Sequence, residues 1–245
     1  MTTAENAAAD AVAKPTRTEL RQRRTRIRLR AVAHQLMAAN GVDATTIQQI
    51  ADAADIGFGT FYNYFPTKDA LAVEVLDCVI HNLGERNDLA TRELGEIDPV
   101  RIVANSVRFV MREMTTNPMW RWWLARLDLL VDRMRLGFGP FGLRDIDVAI
   151  GSGQYHIIDD DRTLAWSHLV WLMAAAGRDV TDGHLPPSRE AACAEAVLRV
   201  MGVDNASAHD ATSTVLPASP MLNIDFSFEF PAAETPRILL RVDLT

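Results

Sequence analysis

The stretch TTIQQIADAADIGFGTFYNYF, residues 45–65, reads as two short helices joined by a tight turn. In its first half Ile47, Ile50, Ala51 and Ala54 share one helical face, and Thr45 with Gln48 has capping-box spacing, so a helix should begin near Ile47. Asp55 tolerates the left-handed backbone of a turn, and Gly57 is an acceptable N-cap for a second helix. In the second half the period decides between strand and helix. A strand would set Phe58, Tyr62 and Tyr64 on one face and Phe61 and Phe65 on the other, leaving no polar side. A helix places Phe61 and Phe65 inward at i and i+4, and turns Thr60, Asn63 and Tyr64 elsewhere. Pro66 ends this helix, and Thr67 can cap the next.

Upstream, Leu29, Val32, Ala33, Leu36 and Met37 define a helix running from about Leu20 to the stop at Asn40-Gly41, with Arg21, Arg24 and Arg28 along another side. Residues 1–16 lack periodicity and read as a mobile arm. Charge is distributed unevenly around this unit. Residues 14–66 carry eight basic groups against four acids, whereas residues 67–245 carry 17 against 26, within an overall net charge of −7. That opposition suggests a polyanion-facing module joined to a body that faces something else.

With 245 residues and 48% hydrophobic content, the chain can bury a sizeable core. Two cysteines are too few for a disulfide framework, no apolar run approaches a membrane span, and no signal segment is evident, which together suggest the cytoplasm. The remainder reads as helices over 67–86, 99–116 and 120–135, a loop or kink at RLGFGPFGLRD, a weaker helix over 143–151, and two strong helices over 159–177 and 187–202. AAAG at 174–177 and AACAEA at 191–196 offer small residues for close helix approach between subunits. In the tail, MLNIDFSFEF and RILLRVDLT alternate strictly, as two strands of a possible β-hairpin.

Five tryptophans exceed what bundle packing requires. Trp120, Trp123, Phe138, Phe141, Trp166 and Trp171 are candidates to line an apolar pocket for a small molecule. His156 and His168 near Asp159–Asp161 lack compact ligand spacing, so no metal site or cofactor is indicated, and no nucleophile constellation argues for an enzyme.

A basic helix followed by two short helices forms a helix-turn-helix arrangement. From about Leu29 to Leu71 the chain resembles the TetR family of transcriptional regulators. The likeness rests on AANGVDATTIQQIADAADIGFGTFYNYFPTKDAL, with Asp55 where Gly is usual and Gly57 where Ser often caps. The resemblance implies an all-α homodimer with a helix-turn-helix domain, here 17–66, and a larger ligand-binding and dimerisation domain, here 67–203, leaving 204–245 as an extension. It further implies phosphate contacts from Thr46, Tyr62, Tyr64 and Lys68 and base contacts from Ile47, Phe58, Gly59, Thr60 and Asn63, with Arg24 and Arg28 adding counter-charge. Phe58 could equally pack back onto the turn. The expected partners are a palindromic double-stranded DNA operator and a small apolar effector whose binding relieves repression. An all-α enzyme with an apolar pocket and a ligand-independent DNA binder are the alternatives.

Overall fold

The computed structural model describes residues 16–93, 98–220 and 222–230, and among them the regular structure is helical, without a strand. The elements are α1 (Arg17–Asn40), α2 (Ile47–Ala53), α3 (Phe58–Phe61), α4 (Lys68–Glu93), α5 (Pro99–Thr116), α6 (Trp120–Leu124), α7 (Leu127–Gly151), α8 (Arg162–Thr181), α9 (Glu190–Val200) and α10 (Asn205–Ser213). Residues 1–15, which hold most of the expected arm, and the second expected tail strand lie outside the described residues.

Local chemistry sets the boundaries of the first three helices. Thr16 and Glu19 cap α1 reciprocally, and α1 stops at Gly41, whose φ of 81° suits glycine and whose amide donates to the Met37 carbonyl. The cap of α2 is shifted by one residue from the expected pair: Thr46 accepts from the Gln49 amide at 3.2 Å. Thr45 is instead buried and donates its hydroxyl to the Gly41 carbonyl at 2.8 Å, which fixes the turn rather than the helix end. Asp55 takes the left-handed conformation at φ 51°, and Gly57 caps α3 without a side chain. Although α3 proper spans a single turn, the amides of Asn63, Tyr64 and Phe65 continue helically onto the carbonyls of Thr60 and Phe61.

The larger body departs from expectation where glycine suggests a break. The run 120–135 splits at Ala125-Arg126 into α6 and α7, whereas 136–145 continues α7 through Pro140 to Gly151. Here glycine serves close approach. A Cβ at Gly137 would collide with Ile80 of α4, and one at Gly142 with the indole of Trp166 on α8. Pro140 is exposed, so its ring and missing N–H do not disturb buried packing. The helix α10 was also unexpected; Asp204 caps it by accepting from the Ala206 and Ser207 amides.

The alternating tail segment 222–230 is not a strand. It runs as an irregular strap over α1 and α4, with Ile224, Phe226, Phe228 and Phe230 half-buried, and an Asp225-centred turn breaks any ladder. The alternation is satisfied by one face lying on helices. Within AAAG, Ala174 and Gly177 pack inside the subunit, Gly177 on Leu124 and Met114, whereas Ala175 is exposed.

One continuous core links α1–α3 to the body through α4, which packs on α1, α5 and α7. Two half-buried carboxylates on α4 hold charged contacts. Glu74 accepts from Arg26 and Arg30 of α1, and Asp77 from Arg133 of α7 at 3.2 Å. Burial pushes the Asp77 carboxyl up to about 7 even though Arg133 pulls it down. Because its folded value lies above the unfolded one, this group's contribution falls as pH rises from about 4 to 7. Arg133→Met, which strands Asp77, should cost about 3 kcal/mol or more at pH 8. In denaturant melts the loss should shrink at pH 5, where the acid is neutral; a pH-independent loss would mean that Asp77 is not the group left exposed to the penalty.

Candidate nucleic-acid interface and internal cavity

Burying Phe61 and Phe65 determines what α3 leaves outside. Phe58 is 46% exposed and Tyr62 48%, their rings meeting edge to face at 5.7 Å, so Phe58 rests on Tyr62 and not on the turn. Gly59 and Asn63 are exposed beside them, Thr60 is half-buried, and a Cβ at Gly59 would meet nothing within 4 Å. Thr46 is exposed at the N-terminus of α2. The outward side of α3 thus presents two aromatic rings, a hydroxyl and an amide around an open glycine.

Three of the candidate contacts also take part in holding the unit together. Ile47 and Tyr64 are half-buried against the core, and the Tyr64 carbonyl accepts from Arg26 at 2.9 Å. Lys68 directs its ammonium onto the carbonyls of Val42 (2.7 Å), Asp43 (3.2 Å) and Thr45 (2.8 Å), one acceptor for each proton, and so clamps the α1–α2 turn to α4. Arg24 and Arg28 are exposed, in register with Arg17 and Arg21 on the side of α1 that faces away from the core, and none of the four has an acidic partner among the described residues.

In the body, a cavity of about 50 Å³ lies among α4, α5, α7 and α8. Phe138, Phe141 and Trp166 reach it, with Val107, Val110 and Leu169 completing an apolar wall. The other aromatic candidates lie elsewhere: Trp120 and Trp123 are fully buried against each other at 5.3 Å, and Trp171 is 42% exposed on α8. The number of indoles does not separate core from cavity.

The rest of the lining is largely polar, and sequence reasoning missed it. It includes Asn87, Asp88 and Thr91 of α4, Ser106 of α5 and Asp145 of α7. Arg144 ties Asp88 and Asp145 together, at 2.7 Å to each. The Thr91 hydroxyl donates to the Asn87 carbonyl at 3.1 Å, and the Asn87 amide reaches the Ser106 carbonyl at 3.5 Å. The Asn87 side-chain oxygen is buried without a hydrogen-bond partner, an acceptor that a ligand hydroxyl could satisfy. The available signal was Asn87 and Thr91 at i and i+4, continuing the inward face of Leu83 beyond the expected end of that helix at 86.

A family model described as bacterial regulatory proteins, tetR family, matches residues 29–75, and one described as tetracyclin repressor-like, C-terminal domain, matches 98–214. The solved structure of RolR with its ligand resorcinol is similar at 29% identity, covering 82% of this chain and 99% of that one, with a TM-score of 0.74. RolR without ligand gives 30% identity over 79% of this chain and 99% of that one, with a TM-score of 0.70. FadR from Bacillus subtilis, in complex with stearoyl-CoA, shares the fold at 14% identity and a TM-score of 0.55, over 71% of this chain and 98% of that one. A curated relative, the HTH-type transcriptional regulator LuxR of Vibrio harveyi, is 34% identical over 71 residues, 29% of this chain and 35% of its own length. The match thus spans about a third of that relative.

Lys68→Ala removes three carbonyl bonds and should lower stability by roughly 2 kcal/mol, whereas Phe58→Ala at an exposed ring should change it by less than about 1 kcal/mol. Thermal melts distinguish the two; a large loss at Phe58 would show that its ring is structural.

Proposed function

The chain belongs to the TetR family, and from that premise we propose that it is a ligand-responsive transcriptional regulator that binds a palindromic DNA operator as a homodimer and is released by a small, mainly apolar effector. The observation that carries this reading is the pairing of an uncovered α3 surface with an internal cavity on the same connecting helix, α4. In this reading Thr46 and Tyr62 hold phosphates, while Phe58, Gly59, Thr60 and Asn63 enter the major groove. Asn63 pairs with an adenine edge, and Phe58 and Thr60 press on thymine methyls, which favours A·T-rich contacted bases. Ile47 and Tyr64 flank that surface, and Lys68 holds the α2 terminus in place for it. Arg24 and Arg28 supply phosphate contacts beyond the half-site.

The effector occupies the space between the apolar wall and Asn87. RolR was solved with resorcinol, an aromatic ring bearing hydroxyls, and the wall chemistry here suits such a compound: ring on Phe138, Phe141 and Trp166, hydroxyl toward the unpartnered Asn87 oxygen. A cavity of about 50 Å³ is well below the roughly 150 Å³ that admits benzene, so a ring must push its walls apart, and α4 is one of those walls. Binding therefore favours a dimer with displaced α4 helices, and operator affinity falls by as much as the effector prefers that state. Subunits associate through α8 and α9, where Leu164, Trp171, Leu172 and Val200 leave apolar surface exposed.

Selection of bound sequences from random DNA should return A·T-rich palindromic half-sites, and G-dominated half-sites would refute the base-contact assignment. Replacing Arg24 and Arg28 by Gln removes four phosphate contacts from the dimer and should lower the slope of log affinity against log salt by roughly 4 without changing base preference. With resorcinol as probe, Asn87→Leu should weaken binding at least about tenfold in fluorescence titrations while operator affinity stays within about threefold. Equal weakening of both would point to a damaged fold.

A further inference from the structure

The segment after α10 lies beyond the residues that the family model matches, which end at 214, yet among the described residues it makes polar contacts of the longest sequence separation. It runs antiparallel to α4 and is held mostly by side chains gripping its backbone carbonyls. Arg86 donates to the Pro220 carbonyl at 3.1 Å and to the Ser219 hydroxyl at 2.8 Å, and Asn82 to the Asn223 carbonyl at 3.3 Å. Beside Asn82 on α4, His81 stacks on Phe228 with centroids 3.7 Å apart and planes 8° from parallel. At its far end the segment reaches a different element. Arg30 of α1, 3% exposed, donates to the carbonyls of Phe226 (3.0 Å) and Phe228 (3.2 Å) and pairs with Glu229 at 3.1 Å, while His34 of α1 packs on Phe226. Phe230 closes against Gly137 of α7, one residue before Phe138 of the cavity wall.

We propose that residues 219–220 and 222–230 are a positioning brace, which fixes α1, and with it α2 and α3, at one angle to α4 and ties that angle to the cavity wall on α7. The physical case rests on Arg30. Glu74 satisfies part of its buried guanidinium, and the remaining donors depend on the brace, so α1 cannot swing away from α4 without leaving them unpaired. A second anchor, Arg86, sits on α4 about three turns beyond Glu74, so the segment resists rotation as well as separation. The brace thus narrows the range of distances that two recognition helices can adopt in a dimer. This consequence rests on α1–α3 being the DNA-binding unit; the bracing of α1 itself does not.

The test uses the full chain carrying Phe228→Ala, Glu229→Gln and Phe230→Ala together, with Arg86→Gln as a separate variant that cuts the opposite end and serves if the triple variant fails to fold. Amide hydrogen exchange of α1 residues 30–38 should accelerate at least tenfold in either variant, with α8 unchanged. Operators with one base pair inserted or removed at the centre should lose at least tenfold affinity for the unaltered protein and less than threefold for the variants. Unchanged α1 exchange would overturn the brace. Faster exchange with undiminished spacing discrimination would overturn its positioning role. If the unaltered protein selects no operator, the DNA-binding reading fails, and the exchange result still decides the brace.

Discussion

The carboxylate of Glu74 is the knot of the structure. It stands on α4 and accepts from two arginines of α1, Arg26 and Arg30, and each of these reaches a third element. Arg26 also donates to the Tyr64 carbonyl and lies over the Phe65 ring at 4.5 Å, so it fastens the end of the α3 segment. Arg30 continues to the segment after α10. The Glu74 carboxylate and Arg26 are half-buried and Arg30 is buried, and the cost of desolvating the group is offset because every partner is hydrogen-bonded. The consequence is geometric: α1, α3 and α4 can move only together or by breaking charged contacts in a poorly solvated place.

That constraint gives α4 its significance. Its N-terminal turns hold the first three helices through Lys68 and Glu74, its middle carries the Asp77–Arg133 pair with α7, and its later turns furnish Asn87, Asp88 and Thr91 to the cavity. A helix of 26 residues spans about 39 Å, long enough to join the first three helices to the cavity lining on one rod. In the proposed reading, an effector that needs more room than the cavity offers acts on that rod. The coupling then requires no change within α3, whose aromatic core of Phe61 and Phe65 stays packed.

Much of this was legible in the sequence, and the misreadings share a cause. The i, i+4 placement of Phe61 and Phe65 was enough to separate the inward face of α3 from its outward one, and Gly41, Asp98-Pro99 and Pro66 marked helix ends because their backbone chemistry is local. What was misread depended on partners distant in sequence. Glycine at 137 and 142 marks close approach to Ile80 and Trp166, although from sequence it looks like a loop. The alternation of 222–230 reports one buried face but not whether helices or another strand cover it. Thr45 and Thr46 compete for one cap, and only burial of Thr45 decides between them. The polar cavity wall was invisible because Asn87 and Thr91 become inward-facing only once α4 is known to run to Glu93.

The central claim is that filling the cavity moves the DNA-facing helices through α4. Spin labels at Gln48→Cys, an exposed position on α2, would report the distance between the two units of a dimer directly by pulsed electron resonance. The account predicts one narrow distribution with operator bound, and a shift of several ångströms when a ring-bearing ligand such as resorcinol saturates the DNA-free dimer. An identical distribution with and without saturating ligand would contradict it.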